Sequence, residues 1–215
     1  MTLLIFLDTE TTGLNERNHR PWEVAWQLYH HQDATDLEPA KLVALTPMRQ
    51  MFLAIDEVTW KFSDPQALII GKLHDRYPDI QRLRDSAERN VWVRSTLPTA
   101  ADCLEAIMAD LRHNGWATPR DATLVGACPW FDDTMLAHAW RHSVNDRPWH
   151  YHLVDIETLA AGWVGAGPPP WRYGDLLAKL GVDDPETGKH TAAGDVQVVV
   201  QAYAKVYDLT IEDLA

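Results

Sequence analysis

The chain has 215 residues, of which 46% are hydrophobic and 23% charged, a balance that predicts one folded domain with a sizeable core. The formal net charge of −12 argues against a general nucleic-acid coat protein, although residues 71–94 carry six Lys or Arg against four Asp or Glu. No apolar run approaches the roughly 20 residues of a membrane span, no secretory signal pattern is present, and two cysteines give no disulfide framework. We therefore expect a cytoplasmic protein that does not partner a membrane.

The first part of the chain is predicted to form a three-stranded meander. Residues 3–7 are a continuous apolar run, which is typical of a strand covered on both faces. Residues 21–29 place one set of side chains on each face in alternation, and residues 41–45 are a plausible third strand.

Strands and helices alternate in the rest of the sequence. Residues 48–94 suggest two or three helices, one of them over residues 65–76. The further predicted elements are a helix over 99–114 that Thr99 caps and Gly115 ends, a strand over 122–127, a helix over 131–142, a strand over 152–155, a helix over 174–180 stopped by Gly181, and a helix over 191–206. This order predicts an α/β domain with a mixed sheet, spanning residues 1–215.

The sequence LLIFLDTETTGL, residues 3–14, carries the first apolar strand directly into two acids. Asp8 and Glu10 lie two residues apart at the strand end, so a period of two places both side chains on one face. Neighbouring carboxylates repel each other and lose solvation, and a divalent cation with oxygen ligands relieves both costs. A pair of exposed acids in a turn is the alternative, and it is the commoner meaning of an isolated D-x-E.

The sequence CPWFDDTMLAHAW, residues 128–140, places one acid on the apolar face of a predicted helix. Asp132 shares its stripe with Met135 and Leu136, whereas Asp133 is expected on the wetter side. Stabilisation of a helix N-terminus by acids would explain Asp133 equally well, so it does not account for an inward-facing Asp132.

The sequence HTAAGDVQVVVQAY, residues 190–203, repeats this arrangement, because Asp195 shares its stripe with Val198 and Val199. His190 lies five positions before that acid. One strand and two helices together supply four carboxylates and one histidine. Two-metal phosphoryl chemistry needs such a set, because two divalent ions about 4 Å apart share oxygen ligands while a base removes the proton from the attacking water.

These sequences resemble, in order, the three motifs of the DEDDh exonucleases, the proofreading-subunit-like and ribonuclease-T-like branch of the DEDD superfamily. The matching segments are LDTETTGL, FDDTML and HTAAGD, and the resemblance covers nearly the whole chain. The H-x-A-x-x-D form of the third motif (His190, Ala192 and Asp195) is the most diagnostic, since relatives in another branch carry tyrosine there. The resemblance implies a ribonuclease-H-like mixed sheet, an antiparallel meander plus parallel strands flanked by helices. It also implies hydrolysis from a 3′ end to nucleoside 5′-monophosphates with two Mg²⁺ or Mn²⁺ ions.

Roles for individual residues follow from the same resemblance. His190 would be the general base, and Glu23 in the second strand would support the site. The surroundings of Thr9, Thr11 and Leu14 would contact the terminal nucleotide. The metal ligands would be Asp8, Glu10, Asp132 and Asp195.

The chain departs from the family pattern at two places. Many members carry H-N-x-x-F-D in the second motif, and here residues 127–132 read ACPWFD, with Cys128 at the asparagine position. The segment between the first two motifs, about residues 48–94, is longer than in compact members. It carries the basic cluster together with Trp60 and Trp92, so we expect it to influence substrate choice.

The expected partner is a nucleic acid with a free 3′ end. Trp130, beside Asp132, and Trp60 are candidates for stacking on bases, with a plug between helix and sheet as the alternative for Trp130. The acidic total favours single-stranded or short ends, because little cationic surface is left to follow the phosphates of a long duplex. DNA and RNA both stay open as substrates, and so does a homodimer as the oligomeric state.

Two other functions are compatible with parts of the sequence. A haloacid-dehalogenase-like phosphatase also begins with an acid–x–acid after an apolar strand, but it normally has aspartate where this chain has Glu10. It would form a covalent aspartyl-phosphate. A catalytically idle nucleic-acid-binding module of the same fold is the second alternative, and the intact set of five site residues argues against it.

Overall fold

A seven-stranded mixed sheet forms the centre of the protein. The computed structural model describes residues 2–140, 147–183 and 189–214. The strands are β1 (Thr2–Thr11), β2 (Pro21–Gln32), β3 (Lys41–Ala44), β4 (Arg49–Phe52), β5 (Ala122–Gly126), β6 (Val154–Asp155) and β7 (Thr210–Glu212). The helices are α1 (Glu57–Lys61), α2 (Pro65–Ile70), α3 (Leu73–Arg76), α4 (Ile80–Arg89), α5 (Ala100–His113), α6 (Pro129–Trp140), α7 (Ile156–Trp163), α8 (Tyr173–Leu180) and α9 (Ala192–Tyr207).

The strands lie in the order β6-β5-β1-β2-β3-β7, and β4 pairs with β2 outside this path. Antiparallel pairing joins β1 to β2 and β2 to β3, which confirms the predicted meander. Parallel pairing joins β1 to β5, β5 to β6 and β3 to β7. The predicted mixed α/β fold is therefore confirmed. The sequence did not reveal β4 and β7, because strands of four and three residues with half-exposed side chains carry almost no alternation.

Alternate residues of β1 face two different helical layers. Leu4 and Phe6 belong to a core that α7, α8 and α9 cover. Leu3, Ile5 and Leu7 belong to a second core that α5 and α6 cover. Because both faces are covered, the whole run from residue 3 to residue 7 is apolar, as the sequence predicts. Because successive side chains of a strand point to opposite faces, each residue of β1 after Leu7 also faces one of these two helical layers.

The second strand is buried on both of its faces at its beginning. Trp22, Glu23 and Val24 are all completely buried, although the alternation places Glu23 on the opposite face from the other two. Both faces are covered here because β4 pairs with residues 23–26 of β2 and the helices of residues 57–89 pack against this end of the strand.

The segment from α1 to α4 forms a small core of its own against the beginning of β2. Trp22 contributes to this core together with buried side chains of the segment, which are Ile55, Leu68, Leu73, Tyr77 and Leu83. The single helix predicted over residues 65–76 is wrong. It is divided at Gly71 and Lys72, where Lys72 adopts a left-handed backbone with φ of 55°.

The remaining helices follow their predicted positions closely. Helix α5 has Thr99 as its N-cap, and Gly115 follows its end with a φ of 89°. Gly181 caps the end of α8 in a left-handed conformation. Helix α6 begins two residues earlier than predicted, and its predicted end at residue 142 lies outside the described residues. No helix in the described part of the chain combines the length and the apolarity of a membrane span.

We expect Thr99→Ala to lower the free energy of unfolding by about 1 kcal/mol, because it removes one half of a capping box. The Thr99 side chain accepts from the amide of Asp102, and the Asp102 carboxylate accepts from the amide of Thr99 at 2.7 Å. Urea denaturation measures the change. Thr96→Ala, at an exposed position before the helix, is the control and should leave the midpoint unchanged. Equal effects of the two substitutions would contradict the capping role.

Candidate active site

The predicted acids meet at the edge of the sheet where β1 and β5 end. These strands are parallel, so their carboxyl ends lie at the same edge, and α6 begins just after β5. Crevices at this edge are the usual ligand sites of sheets with parallel strands. Asp8 and Glu10 lie near the carboxyl end of β1, after its apolar residues.

Asp8, Glu10 and Asp195 form one cluster, which we call the carboxylate trio. Each offers an oxygen atom, and these three oxygens lie within 4.8 Å of one another. The arrangement follows from the period of two, since Asp8 and Glu10 continue the face of Leu4 and Phe6 that α9 covers. Asp195 lies in the first turn of α9, where its side chain reaches the same space.

Burial and mutual repulsion make two members of this trio, Asp8 and Glu10, hard to ionise. Burial raises the pKa of Glu10 to about 8, and the charges of Asp195 and Glu23 add to this rise. The pKa of Asp8 is raised well above its usual range by burial first, and then by the charges of Asp132 and Asp195. Three crowded carboxylates, of which Asp8 and Glu10 resist ionisation, fit a hard divalent cation, which would neutralise their charge.

Asp132 lies beside the trio but is not part of it. Thr9 follows the β1 face of Leu7, which α6 covers, and its hydroxyl donates to Asp132 Oδ1 at 2.6 Å. Burial raises the pKa of Asp132 to about 7, while hydrogen bonds from the side chain and backbone of Thr9 oppose this rise. Asp132 thus approaches the site from the other layer, and its charge still acts on Asp8.

Asp133 is buried, which corrects the expectation that it faces solvent. Its Oδ1 accepts from the indole nitrogen of Trp149 at 2.9 Å, and it forms an ion pair with Arg147. Both partners come from a segment that follows α6 and packs back onto it. A helical wheel contains no information on such a segment, so Asp133 serves the packing of α6.

His190 precedes α9 with a left-handed backbone, φ 57°, and an exposed ring. Its carbonyl oxygen accepts a hydrogen bond from Arg76 Nη1 at 3.1 Å. The ring nitrogens of His190 do not join the carboxylate trio. The histidine is thus held through its backbone at the start of the helix that carries Asp195, with its ring available to solvent.

The residues expected to contact a nucleotide differ widely in exposure. Thr9 and Thr11 are buried, and the hydroxyl of Thr11 donates to the carbonyl oxygen of Gly13 at 2.9 Å. Leu14 is 76% exposed and Trp130 is 62% exposed. Because most of Trp130 is exposed, it does not plug the helix against the sheet, and its ring contacts Phe131 edge to face. Its indole and Leu14 are therefore the apolar surfaces that these four residues offer to a base.

The turn after β1 is fastened to the segment of α1–α4. The Nδ1 atom of His19 accepts from the amide of Asn15 at 2.9 Å, so Nε2 carries the proton and donates to the carbonyl of Phe62 at 2.9 Å. The amide of Asp64 donates to the carbonyl of Thr12 at 2.8 Å. These bonds fix the backbone that presents Leu14.

Two tryptophans of this segment take part in its own packing. Trp60 packs against the small core and contacts His74 edge to face at 6.2 Å. The guanidinium of Arg82 covers the ring of Trp92 at 5.0 Å. Their influence on substrate choice stays a prediction.

Glu23 and Arg76 form a buried ion pair behind the trio. Glu23 is the direct cross-strand neighbour of Glu10, and its Oε1 accepts from Arg76 and from Gln50. Its Oε2 has no hydrogen-bond partner among the described residues. The sequence indicated Glu23 as a supporting residue, but it gave no sign of Arg76, whose only visible feature was membership of a basic cluster. The unsatisfied oxygen beside Glu10 is a further observation that fits a cation in this crevice.

Comparison with solved structures reveals the same architecture. Exonuclease I from E. coli aligns over 97% of this chain with a TM-score of 0.59 and 16% identity. Exonuclease I from Methylocaldum szegediense aligns over 96% of it with a TM-score of 0.57 and 18% identity. This is the fold of exonuclease I. The chain spans about 40% of the length of these enzymes. No protein-family model matches the sequence, and no curated protein matches it significantly.

We expect the metal-free protein to lose stability as the pH rises from about 4.5 to about 8. The raised pKa of Glu10 means that the folded state keeps a proton that the unfolded chain has released, so a rise in pH through this window favours unfolding. Glu10→Gln removes this group. In EDTA at about pH 8 the variant should be more stable than the wild type by on the order of 2 kcal/mol. It should also lose the stabilisation that Mn²⁺ gives the wild type.

Urea unfolding in EDTA and in Mn²⁺, at about pH 5.5 and about pH 8, measures both effects. Glu88→Gln, at an exposed position of α4, is the control for the loss of one carboxylate. Equal stability of the wild type and Glu10→Gln in EDTA at both pH values would contradict a raised pKa of Glu10 in the folded protein.

Proposed function

We propose that the protein is a divalent-metal-dependent 3′–5′ exonuclease of the DEDD superfamily, in its DEDDh branch. It would remove nucleoside 5′-monophosphates from the 3′ end of single-stranded nucleic acid. The observation that carries this proposal is the carboxylate trio, with Asp132 beside it and His190 at the start of α9, at the strand-end edge of an exonuclease I fold.

The trio and Asp132 would hold two divalent ions, Mg²⁺ or Mn²⁺. When bound, such ions make a water molecule more acidic and offset the charge of the phosphate under attack. Asp8 is the central ligand in this proposal, because Asp132 and Asp195 are the two charges that raise its pKa most. Asp132 would exchange its hydrogen bond from Thr9 for part of the metal site.

His190 would act as the general base. His190 is exposed, so a proton taken from the attacking water would pass readily to solvent. Leu14 and Trp130 would contact the terminal bases, since both present large apolar surfaces to solvent. Base stacking on an aromatic ring contributes roughly 1–3 kcal/mol per base and tolerates any sequence.

Single-stranded DNA is the first substrate to test. Solved structures of E. coli exonuclease I hold single-stranded DNA, including a dT13 oligonucleotide. The net charge of −12 also favours a flexible end over a long duplex, because duplex binding depends on many cationic contacts to phosphate.

We expect Mg²⁺-dependent shortening of a 5′-labelled single strand, with mononucleotides as the product from the 3′ end. Asp8→Asn should abolish it, since the central ligand loses its charge. His190→Gln should lower turnover about 10²–10⁴-fold while the variant still binds Mn²⁺, because a lost general base leaves the ligands in place. Gel separation of 3′- and 5′-labelled DNA and RNA, with EDTA as a parallel condition, measures these rates.

Asp36→Asn, in the exposed loop between β2 and β3, is the matched control and should digest like the wild type. Retention of bound strand without digestion would favour an idle binding module instead. A covalent aspartyl-phosphate would favour a phosphatase. Absence of 3′ shortening of both DNA and RNA by the wild type in Mg²⁺ and Mn²⁺ would refute the proposal.

A further inference from the structure

The short segment from Gly71 to Arg76 contacts the candidate site at several points, although it contains none of its acids. Arg76 Nη1 donates to the carbonyl oxygens of Gly71 and His190, both at 3.1 Å. The other terminal nitrogen, Nη2, contacts the buried carboxylate of Glu23. The guanidinium also lies over the ring of Trp22 at 5.4 Å. One side chain therefore touches the α9 loop, the β2 strand and its own segment.

The loop before α9 receives a second cation from the same segment. Lys72 Nζ donates to the carbonyl oxygen of Lys189 at 3.0 Å. Lys72 and Arg76 thus hold two consecutive carbonyls, those of residues 189 and 190. His190 needs such support, because a left-handed backbone is unfavourable for residues other than glycine.

Gly71 lies directly against the carboxylate trio. A Cβ atom at this position would approach Glu10 Oε2 to 2.6 Å and the ring of Trp22 to 3.2 Å. The segment therefore forms one wall of the space that Glu10 occupies. Arg76 also lowers the pKa of Glu10, against the larger effects of burial and of Asp195. The positive charge of Arg76 therefore acts on Glu10 as well as on Glu23, with which it forms the buried ion pair.

We propose that Arg76 is a positioning residue, which fixes the backbone of His190 relative to the carboxylate trio. The proposal rests on the proposed function, in which His190 and the trio act together. Arg76 binds no substrate in this role, because its donors are directed at Gly71, Glu23 and His190. A guanidinium is suited to it, since its planar set of five N–H donors can serve a carboxylate and two carbonyls at once, which an ammonium group cannot do with the same geometry.

Steady-state digestion of a single strand tests the proposal with Arg76→Met, Arg76→Lys and Arg84→Met. Arg84 lies at an exposed position of α4, within the larger α1–α4 segment, so its substitution removes an equal charge away from the site. We expect Arg76→Met to lower kcat about 10–100-fold with KM changed less than about threefold, because misplacement of a reacting group slows the chemical step. Arg76→Lys should recover part of this loss, and Arg84→Met should keep the wild-type kcat.

A second measurement does not depend on activity. The ring resonance of His190, assigned by its disappearance in His190→Gln, should shift or broaden in Arg76→Met and stay unchanged in Arg84→Met. If the wild type digests no strand, the proposed function has failed, and this resonance still decides whether Arg76 positions His190. An unchanged resonance in folded Arg76→Met would overturn the positioning role.

A double variant keeps the test valid if Arg76→Met does not fold. Arg76→Met with Glu23→Gln removes the buried pair together, so no buried carboxylate is left without its partner. Lys72→Ala in a wild-type background removes one of the two carbonyl contacts alone and should give a smaller shift of the same resonance. A wild-type His190 resonance in both variants would overturn the proposal, as would equal losses of kcat in Arg76→Met and Arg84→Met.

Discussion

The concentration of negative charge at the end of β1 is the constraint on which the rest of the site depends. Asp8, Glu10 and Asp195 crowd their oxygens within 4.8 Å, and Asp132 and Glu23 lie close enough to act on them. A buried charge without a partner lowers the free energy of unfolding by several kcal/mol. Within the protein, the positive charge of Arg76 is paired with the carboxylate of Glu23. The protein must therefore either keep protons on these acids or accept cations from outside. A bound divalent cation would relieve both the repulsion and the cost of burial.

The fold assembles this cluster by simple geometric means. A strand that is buried on both faces presents even-numbered residues to α9 and odd-numbered residues to α6. Asp8 and Glu10 consequently meet Asp195, whereas Thr9 meets Asp132. The antiparallel pairing of β1 and β2 then places Glu23 directly beside Glu10. A slip of one residue in β1 would exchange the two faces and separate Asp8 from Asp195.

Local sequence patterns predicted the elements whose formation depends on interactions between residues near one another in the sequence. The apolar run of β1, the capping box of α5 and the glycine after α8 all mark their elements in the sequence, and the apolar stripes of α6 and α9 indicated one inward acid in each. The failures have a different origin. Asp133 is buried by Trp149 and Arg147, the helix over residues 65–76 is broken at Lys72, and β4 and β7 are too short to alternate. The burial of Asp133 and the pairing of β4 and β7 depend on other segments of the chain, which no single window of sequence contains.

Several basic and tryptophan side chains of the segment between the first two motifs take part in its own packing. Its basic cluster and its tryptophans suggested a surface that selects nucleic acid. In the structure Arg82 covers Trp92, Trp60 packs on the small core, and Arg76 turns inward to Glu23 and to the carbonyl of His190.

An arginine that is paired with a buried carboxylate, as Arg76 is with Glu23, cannot also bind a phosphate group. The number of Lys and Arg residues therefore overstates how many cations this segment has for binding nucleic acid. Leu14 and Trp130 expose apolar surface in the first and second motifs, and Phe62, Ile69 and Val93 expose apolar surface in the segment itself. The contacts of the segment with the candidate site are those of Gly71 beside Glu10 and of Arg76 with Glu23 and the carbonyl oxygen of His190.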